Sequence, residues 1–330
     1  MGPLVTRYAL LAVAVVVLNF ALPRLLPGDP LDVESTAGMN PAVSTLTAEA
    51  RARLRASYYL DEPLPGQFAA YVRDLGRGDL GWSISKAAPV SQLIGERLPW
   101  TLGLVLTSVA MSAAGGTLLG LLAAWRGRRT DRMVVGLATS LAAIPEFLVA
   151  MGLLLALAVG LGWFPLQGGR SAFAPASTGP LRWLGPLADV AWHHTLPALT
   201  LILAASAAFV LITRGAMRAV LAEPYLTTAR AKGLPETRVA LRHAVPNALL
   251  PVLTLFGVRV GHVLSGSLGG VIVVERVYSV PGVGLLAFEA IRARDYPVLQ
   301  AVFLLGSAGM LLANLAVELV YRWLEPRRGA

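Results

Sequence analysis

Six long apolar intervals, separated by polar and basic ones, set the pattern of this chain. Tyr8 to Pro23 is apolar apart from Asn19 and is bounded by Arg7 and Arg24, whose aliphatic stems can reach a membrane interface. It predicts an uncleaved first transmembrane helix. A signal peptide is the competing reading, but the run continues into PRLLPGDP and not into a small-residue cleavage site. Residues 27–97 are polar, and within them Thr47 to Leu60 predicts an amphipathic helix exposing Arg51, Arg53 and Arg55. The second span is Leu98 to Trp125, opened by Pro99. Met133 to Leu161 is the third, interrupted by a kink at Ile144-Pro145-Glu146, and Thr195 to Thr213 the fourth, with Pro197 near its start. Ala244 to Val274 exceeds the roughly 20 residues a bilayer needs, so the first turns of this fifth span are expected in the interface. Pro297 to Leu324 is the sixth, with Glu318 and Arg322 near its far end.

The predicted fold is therefore an all-α integral membrane protein of six transmembrane helices. Its expected division is a first helix over 1–26, an extracytoplasmic loop region over 27–97, and a five-helix transmembrane core over 98–330 that carries a cytoplasmic loop at 214–243. Composition agrees, since 55% of the 330 residues are hydrophobic and only 14% charged, against about a quarter charged in soluble domains. The net charge of +9 raises nucleic acid as a partner, but the arginines cluster between apolar runs, where membrane topology places them, so the lipid bilayer is the expected partner and nucleic acid is not. Arg126, Arg128, Arg129 and Arg132 lie between spans two and three; Arg214, Arg218, Arg230, Lys232, Arg238 and Arg242 lie between four and five. Arg322, Arg327 and Arg328 close the chain, whereas the opposite short loops hold Arg170 and Arg182, then Arg276, Arg292 and Arg294. This imbalance predicts a multi-pass protein with both termini and the 214–243 loop in the cytoplasm.

The most informative polar interval is EPYLTTARAKGLPETRVALRHAVPNALLP, Glu223 to Pro251. Pro224 suits a first helical turn, Tyr225 to Lys232 hold good helix formers, and Gly233 can take the left-handed conformation that ends a helix. At about 1.5 Å per residue such a rod is roughly 13 Å long, enough to face another protein and too short to cross a membrane. Pro235 offers a start for a second short helix. The interval resembles the cytoplasmic loop of ABC importer permeases of the peptide and nickel family. Thr227, Thr228 and Ala229 stand at that motif's Glu-Ala-Ala positions, Gly233 at its glycine and Leu250-Pro251 at its Leu-Pro; Thr227 replaces the acidic residue. LDEPLPGQFAAYVRDLGRGDLGWSIS with the PGDP before it, and VVERVYSVPGVGLLAFEAIRARDYP after span five, are similar to the family's extracytoplasmic segments.

The resemblance implies a type I ABC importer permease of the inner membrane. Its implied partners are a second homologous permease subunit, two ATPase subunits and an extracytoplasmic solute-binding protein. Pro224, Tyr225, Thr227, Thr228, Ala229, Lys232 and Gly233 would form the ATPase-coupling element. Peptide is the implied cargo, with nickel or a metal chelate as the alternative.

Direct chemistry is sparse. Neither lysine, Lys86 or Lys232, sits in a phosphate-binding Gly-Lys-Ser/Thr context, so ATP and magnesium are expected on partner subunits and no cofactor in this chain. The chain lacks cysteine, and His193, His194, His243 and His262 have no metalloenzyme spacing, so no metal site and no catalytic residues are expected. Arg259 lies inside an apolar run at a cost of at least about 2.5 kcal/mol if it faced lipid, so it should meet a water-filled path or a partner. Arg259 and His262 share a helical face and are assigned to the translocation path together with Glu146; an Arg259–Glu146 ion pair is the other reading. Gly257 with Gly261, and Gly266 with Gly270, form small-xxx-small pairs for close helix packing within the subunit or against another permease. An ion-coupled secondary transporter should show several intramembrane carboxylates, and this chain offers mainly Glu146. A non-transporting membrane scaffold is the remaining rival.

Overall fold

A computed structural model of the chain describes residues 2–25, 61–171, 184–264 and 269–324, with isolated positions between 47 and 59. The helix expected over Thr47 to Leu60 and the PGDP segment thus lie largely outside the described residues. The described elements are almost all helical. They are α1 (Gly2–Leu25), α2 (Leu64–Gly76), a hairpin of β1 (Trp82–Ser83) and β2 (Ala88–Pro89), α3 (Val90–Trp125), α4 (Arg128–Ala142) and α5 (Glu146–Leu153). Then come α6 (Leu184–Leu221), α7 (Pro224–Ala231), α8 (Glu236–Arg238), α9 (Val245–Ala248), α10 (Leu250–Leu264), α11 (Gly269–Val277), α12 (Val283–Ala293) and α13 (Tyr296–Leu324). Leu154–Gly160 and Val239–Ala244 are π-helical.

Three of these, Val90–Trp125, Gly185–Leu221 and Tyr296–Ala316, are each long and apolar enough to cross a membrane. Two bent pairs qualify when each is taken as one span, and α1 contributes a shorter apolar stretch over Thr6–Ala21.

Several boundaries differ from the sequence expectation. Pro99 lies inside α3 and does not open it, because the nine preceding residues continue the helix. Val90 and Ile94, one turn apart on that extension, are buried with Val283, Leu286, Ala287 and Ala290 of α12 and Val298, Ala301 and Val302 of α13. Similarly, α6 begins eleven residues before Thr195 and carries Pro197 in its interior. The third interval is no kinked rod: α4 and the helix from Glu146 meet at 96°. Pro145 has extended backbone (φ −56°, ψ 139°) and caps α5, and a proline biases the residue before it away from helix, so the chain turns a corner there. The fifth interval also bends, by 42°, at the break before Leu250.

The chain divides into two compact units. One comprises Met1–Leu102, His262–Arg276 and Val280–Leu315. In it the Asn19 Nδ2 of α1 donates to the Gln300 carbonyl of α13 at 2.9 Å, and Phe20 packs edge-on against Phe68 of α2. The hairpin is held by Asp295 immediately before α13: the Ser83 and Ser85 hydroxyls each donate to its Oδ2 at 2.6 Å, and the Ser85 amide donates at 2.9 Å. Glu275 of α11, fully buried, accepts from the Thr101 hydroxyl at 2.6 Å and from the Leu285 amide at 2.9 Å. A Cβ on Gly282 would run into the Glu275 carboxylate, so a larger residue there must displace it from its hydrogen bonds.

The other unit comprises Gly103–Gly261, Val277–Ser279 and Ala316–Ala330. Here α3 and α6 touch backbone to backbone. A Cβ on Gly116 would lie 2.6 Å from the Phe209 Cβ and 2.9 Å from the Ser206 carbonyl; one on Gly120 would lie 2.7 Å from both the Thr213 Cβ and the Val210 carbonyl. Tyr278, also buried, hydrogen-bonds the Ala150 carbonyl at 2.9 Å and the Thr200 hydroxyl at 3.1 Å.

Candidate coupling site

Pro224 at the first helical position has its φ set in advance, and Glu223 before it is extended (φ −72°, ψ 137°), so α7 starts abruptly after α6. Along PYLTTARA the apolar positions Leu226 and Ala229 are three apart and share one face. Both are buried, with Met217 of α6, Val239 and Ala244 of the π-helical turn, and Ala248 of α9. Pro224, Tyr225, Thr227, Thr228 and Lys232 are exposed. α7 is thus a short amphipathic rod seated on a small core of its own.

Its ends are tied by specific contacts. Gly233 has φ +72°, its amide donates to the Arg230 carbonyl at 2.9 Å, and nothing lies within 4 Å of where a Cβ would project. Glycine is favoured there for the backbone conformation and not for space. Across the turn, Arg230 Nε reaches Glu236 Oε1 at 2.8 Å, an exposed pair that adds little stability by itself. At the other end Asn247 Nδ2 donates to the Tyr225 hydroxyl and to the His243 carbonyl, both at 2.9 Å. The seven residues assigned to the coupling element thus fall on one short helix and its terminating turn, six exposed and Ala229 beneath.

One contact had no counterpart in the sequence reading. Asp131, in the first turn of α4, is almost buried and receives hydrogen bonds from Arg214 and Arg218, which stand one turn apart on α6. The Arg214 Nε contact is very short, Arg214 Nη2 lies 2.9 Å from Asp131 Oδ2, and Arg218 Nη2 lies 2.8 Å from the same oxygen. All three residues stand in the polar flanks of their helices, beyond the apolar intervals. There the Arg214 hydrogen bond, helped by the charge of both guanidiniums, holds the Asp131 carboxyl below the usual carboxylate range. The available signal was a lone acid within RGRRTDR.

Of the residues assigned to a translocation path, the side chains described are those of Arg259 and Glu146. Arg259 is half-buried within α10 and Glu146 is half-buried at the start of α5; no ion pair between them occurs among the described residues. His262 lies on α10, with its side chain outside what is described. Gly257 and Gly261 also lie on α10 and Gly270 on α11, while Gly266 is outside the described residues. A glycine pair the sequence reading did not single out, Gly116 and Gly120 in GTLLG, makes a close helix contact.

Residues 116–329 match the family described as binding-protein-dependent transport system inner membrane component, and the chain belongs to it. It is accordingly a membrane permease subunit of an ABC transport system, a transport component and not an enzyme, working with ATPase and substrate-binding components. The glutathione transport system permease protein GsiC of Escherichia coli (strain K12) is 37% identical to it over 311 residues, 94% of this chain and 92% of that protein. GsiC of Salmonella paratyphi A is 38% identical over 318 residues, covering 96% and 94%. A probable peptide ABC transporter permease protein of Sinorhizobium fredii, y4tP, is 36% identical over 332 residues, 99% of each chain.

Proposed function

We propose that this chain lines the path by which an ATP-driven importer carries small peptides across the bacterial inner membrane. The observation that carries this reading is α7, a two-turn rod with an exposed polar face, a buried apolar face and a left-handed glycine stop. Such a rod can be pushed by a separate motor without losing its own packing. Its partners are a second homologous permease, two ATPase subunits that bind ATP and magnesium, and an extracytoplasmic solute-binding protein. Six spans, both termini in the cytoplasm, and the divisions 1–26, 27–97 and 98–330 with the 214–243 loop complete the arrangement. The arginine distribution between spans supports that orientation.

Closure of the ATPases displaces α7 and shifts the spans between inward-open and outward-open states. Nucleotide and cargo must each bind those states unequally for the two equilibria to be linked. Arg259, a cation in an apolar helix, supplies a reason to favour cargo bearing a carboxylate. Peptides satisfy this, and the relatives named for glutathione and peptide transport point the same way. The test is reconstitution of the chain with the subunits encoded beside it, followed by ATP-dependent uptake of labelled glutathione and of short peptides. Uptake driven by an ion gradient, with no ATPase copurifying, would overturn the proposal.

A further inference from the structure

We infer that Asp131 is a positioning residue through which displacement of α7 reaches α4. The inference rests on reading α7 as the ATPase-facing element. Met217 stands between Arg214 and Arg218 in sequence and on the same stripe of α6. Its side chain, 1% exposed, packs with Leu226 and Ala229 of α7. The turn of α6 that receives α7 is therefore the turn that Asp131 grips.

The grip is of the strong kind. Two nitrogens of the Arg214 fork engage both carboxylate oxygens, and Arg218 adds a third bond. A bidentate, charge-assisted contact fixes orientation as well as distance, unlike the single exposed pair Arg230–Glu236. Asp131 also sits at the positive end of α4, where a carboxylate is favoured. Further along, Ala138 of α4 is buried with Ala207 and Val210 of α6, so the helix pair is fastened at two levels, one polar and one apolar. Motion delivered to Met217 thus passes to α4 through the carboxylate and not through side chains free to slide.

The experiment uses the whole transporter in proteoliposomes and measures cargo moved per ATP hydrolysed. Asp131→Asn keeps the shape and loses the charge, and should lower that ratio by at least about fivefold, the low end of ordinary coupling between two sites, while ATP hydrolysis persists. Asp131→Glu should recover part of it. An unchanged ratio in Asp131→Asn overturns the inference. If that variant does not assemble, Arg214→Lys decides, because it keeps the charge and removes the fork: a reduced ratio supports the inference, whereas an unchanged ratio or lost assembly overturns it. Gly233→Ala is measured alongside. If it uncouples and Asp131→Asn does not, only the relay is wrong; if it leaves coupling intact, the reading of α7 fails and the inference with it.

Discussion

At Gly233 a side chain has room but the backbone, at φ +72°, does not welcome one. Alanine in that region costs about 1–2 kcal/mol, and asparagine less. Gly233→Ala is therefore expected to fold and to loosen the end of α7, lowering transport per ATP, with Gly233→Asn closer to wild type; equal transport per ATP by all three would overturn the reading of α7 as the coupling element. Glu275 is the reverse case, where conformation is ordinary and space decides. Thr101 both donates to its carboxylate at 2.6 Å and accepts from the Val283 amide at 2.8 Å, so Thr101→Val strands two buried groups at about 1–3 kcal/mol each. Thermal unfolding in detergent should show a clear loss for Thr101→Val and little for Thr101→Ser. Gly282→Ala, driven into the same carboxylate, should reduce the yield of folded protein further.

Among the helices, the seam between α3 and α6 leaves no room for a side chain at Gly116 or Gly120. Gly120→Val inserts atoms where the Val210 carbonyl already stands 2.7 Å from an ideal Cβ, and overpacking of this kind costs about 1–3 kcal/mol. The expected outcome is a lower unfolding temperature and a lower yield of folded protein, read by calorimetry and size-exclusion chromatography; an unaltered variant would mean the seam opens freely. The small-xxx-small pattern was visible in the sequence, yet it occurs more than once, and spacing alone does not say which pair meets a neighbour. Apolar length revealed the helices well but not their ends. Val90 and Ile94 extend α3 because α12 and α13 bury them, a fact set by tertiary contact, and Glu96 and Arg97 between them read as loop. Pro145 signalled a disturbance without fixing its angle, since proline permits anything from a kink to the observed 96° corner. α7 was legible to within a residue because proline start, amphipathic face and glycine stop agree.

For the molecule as a whole, the clustering of arginines between apolar runs was readable in the sequence while their pairing was not. The arginines counted for the expected orientation include the two that clamp Asp131, and which acid they meet depends on how α4 and α6 pack. That clamp carries a pH signature. Because the folded carboxyl titrates below its ordinary value of about 3.9, its stabilisation is complete above that value and is lost as pH falls through the lower folded one. The gap in unfolding temperature between wild type and Asp131→Asn should thus stay constant from about pH 7 to pH 5 and close only in stronger acid, below about pH 4. A gap already closing near neutrality would assign the effect to another group. Where Gly116 and Gly120 bring two main chains into contact, no soft layer is left to absorb relative movement. The pair should therefore move as a single beam, leaving the corner before Pro145 and the break before Leu250 as the places where the chain can flex.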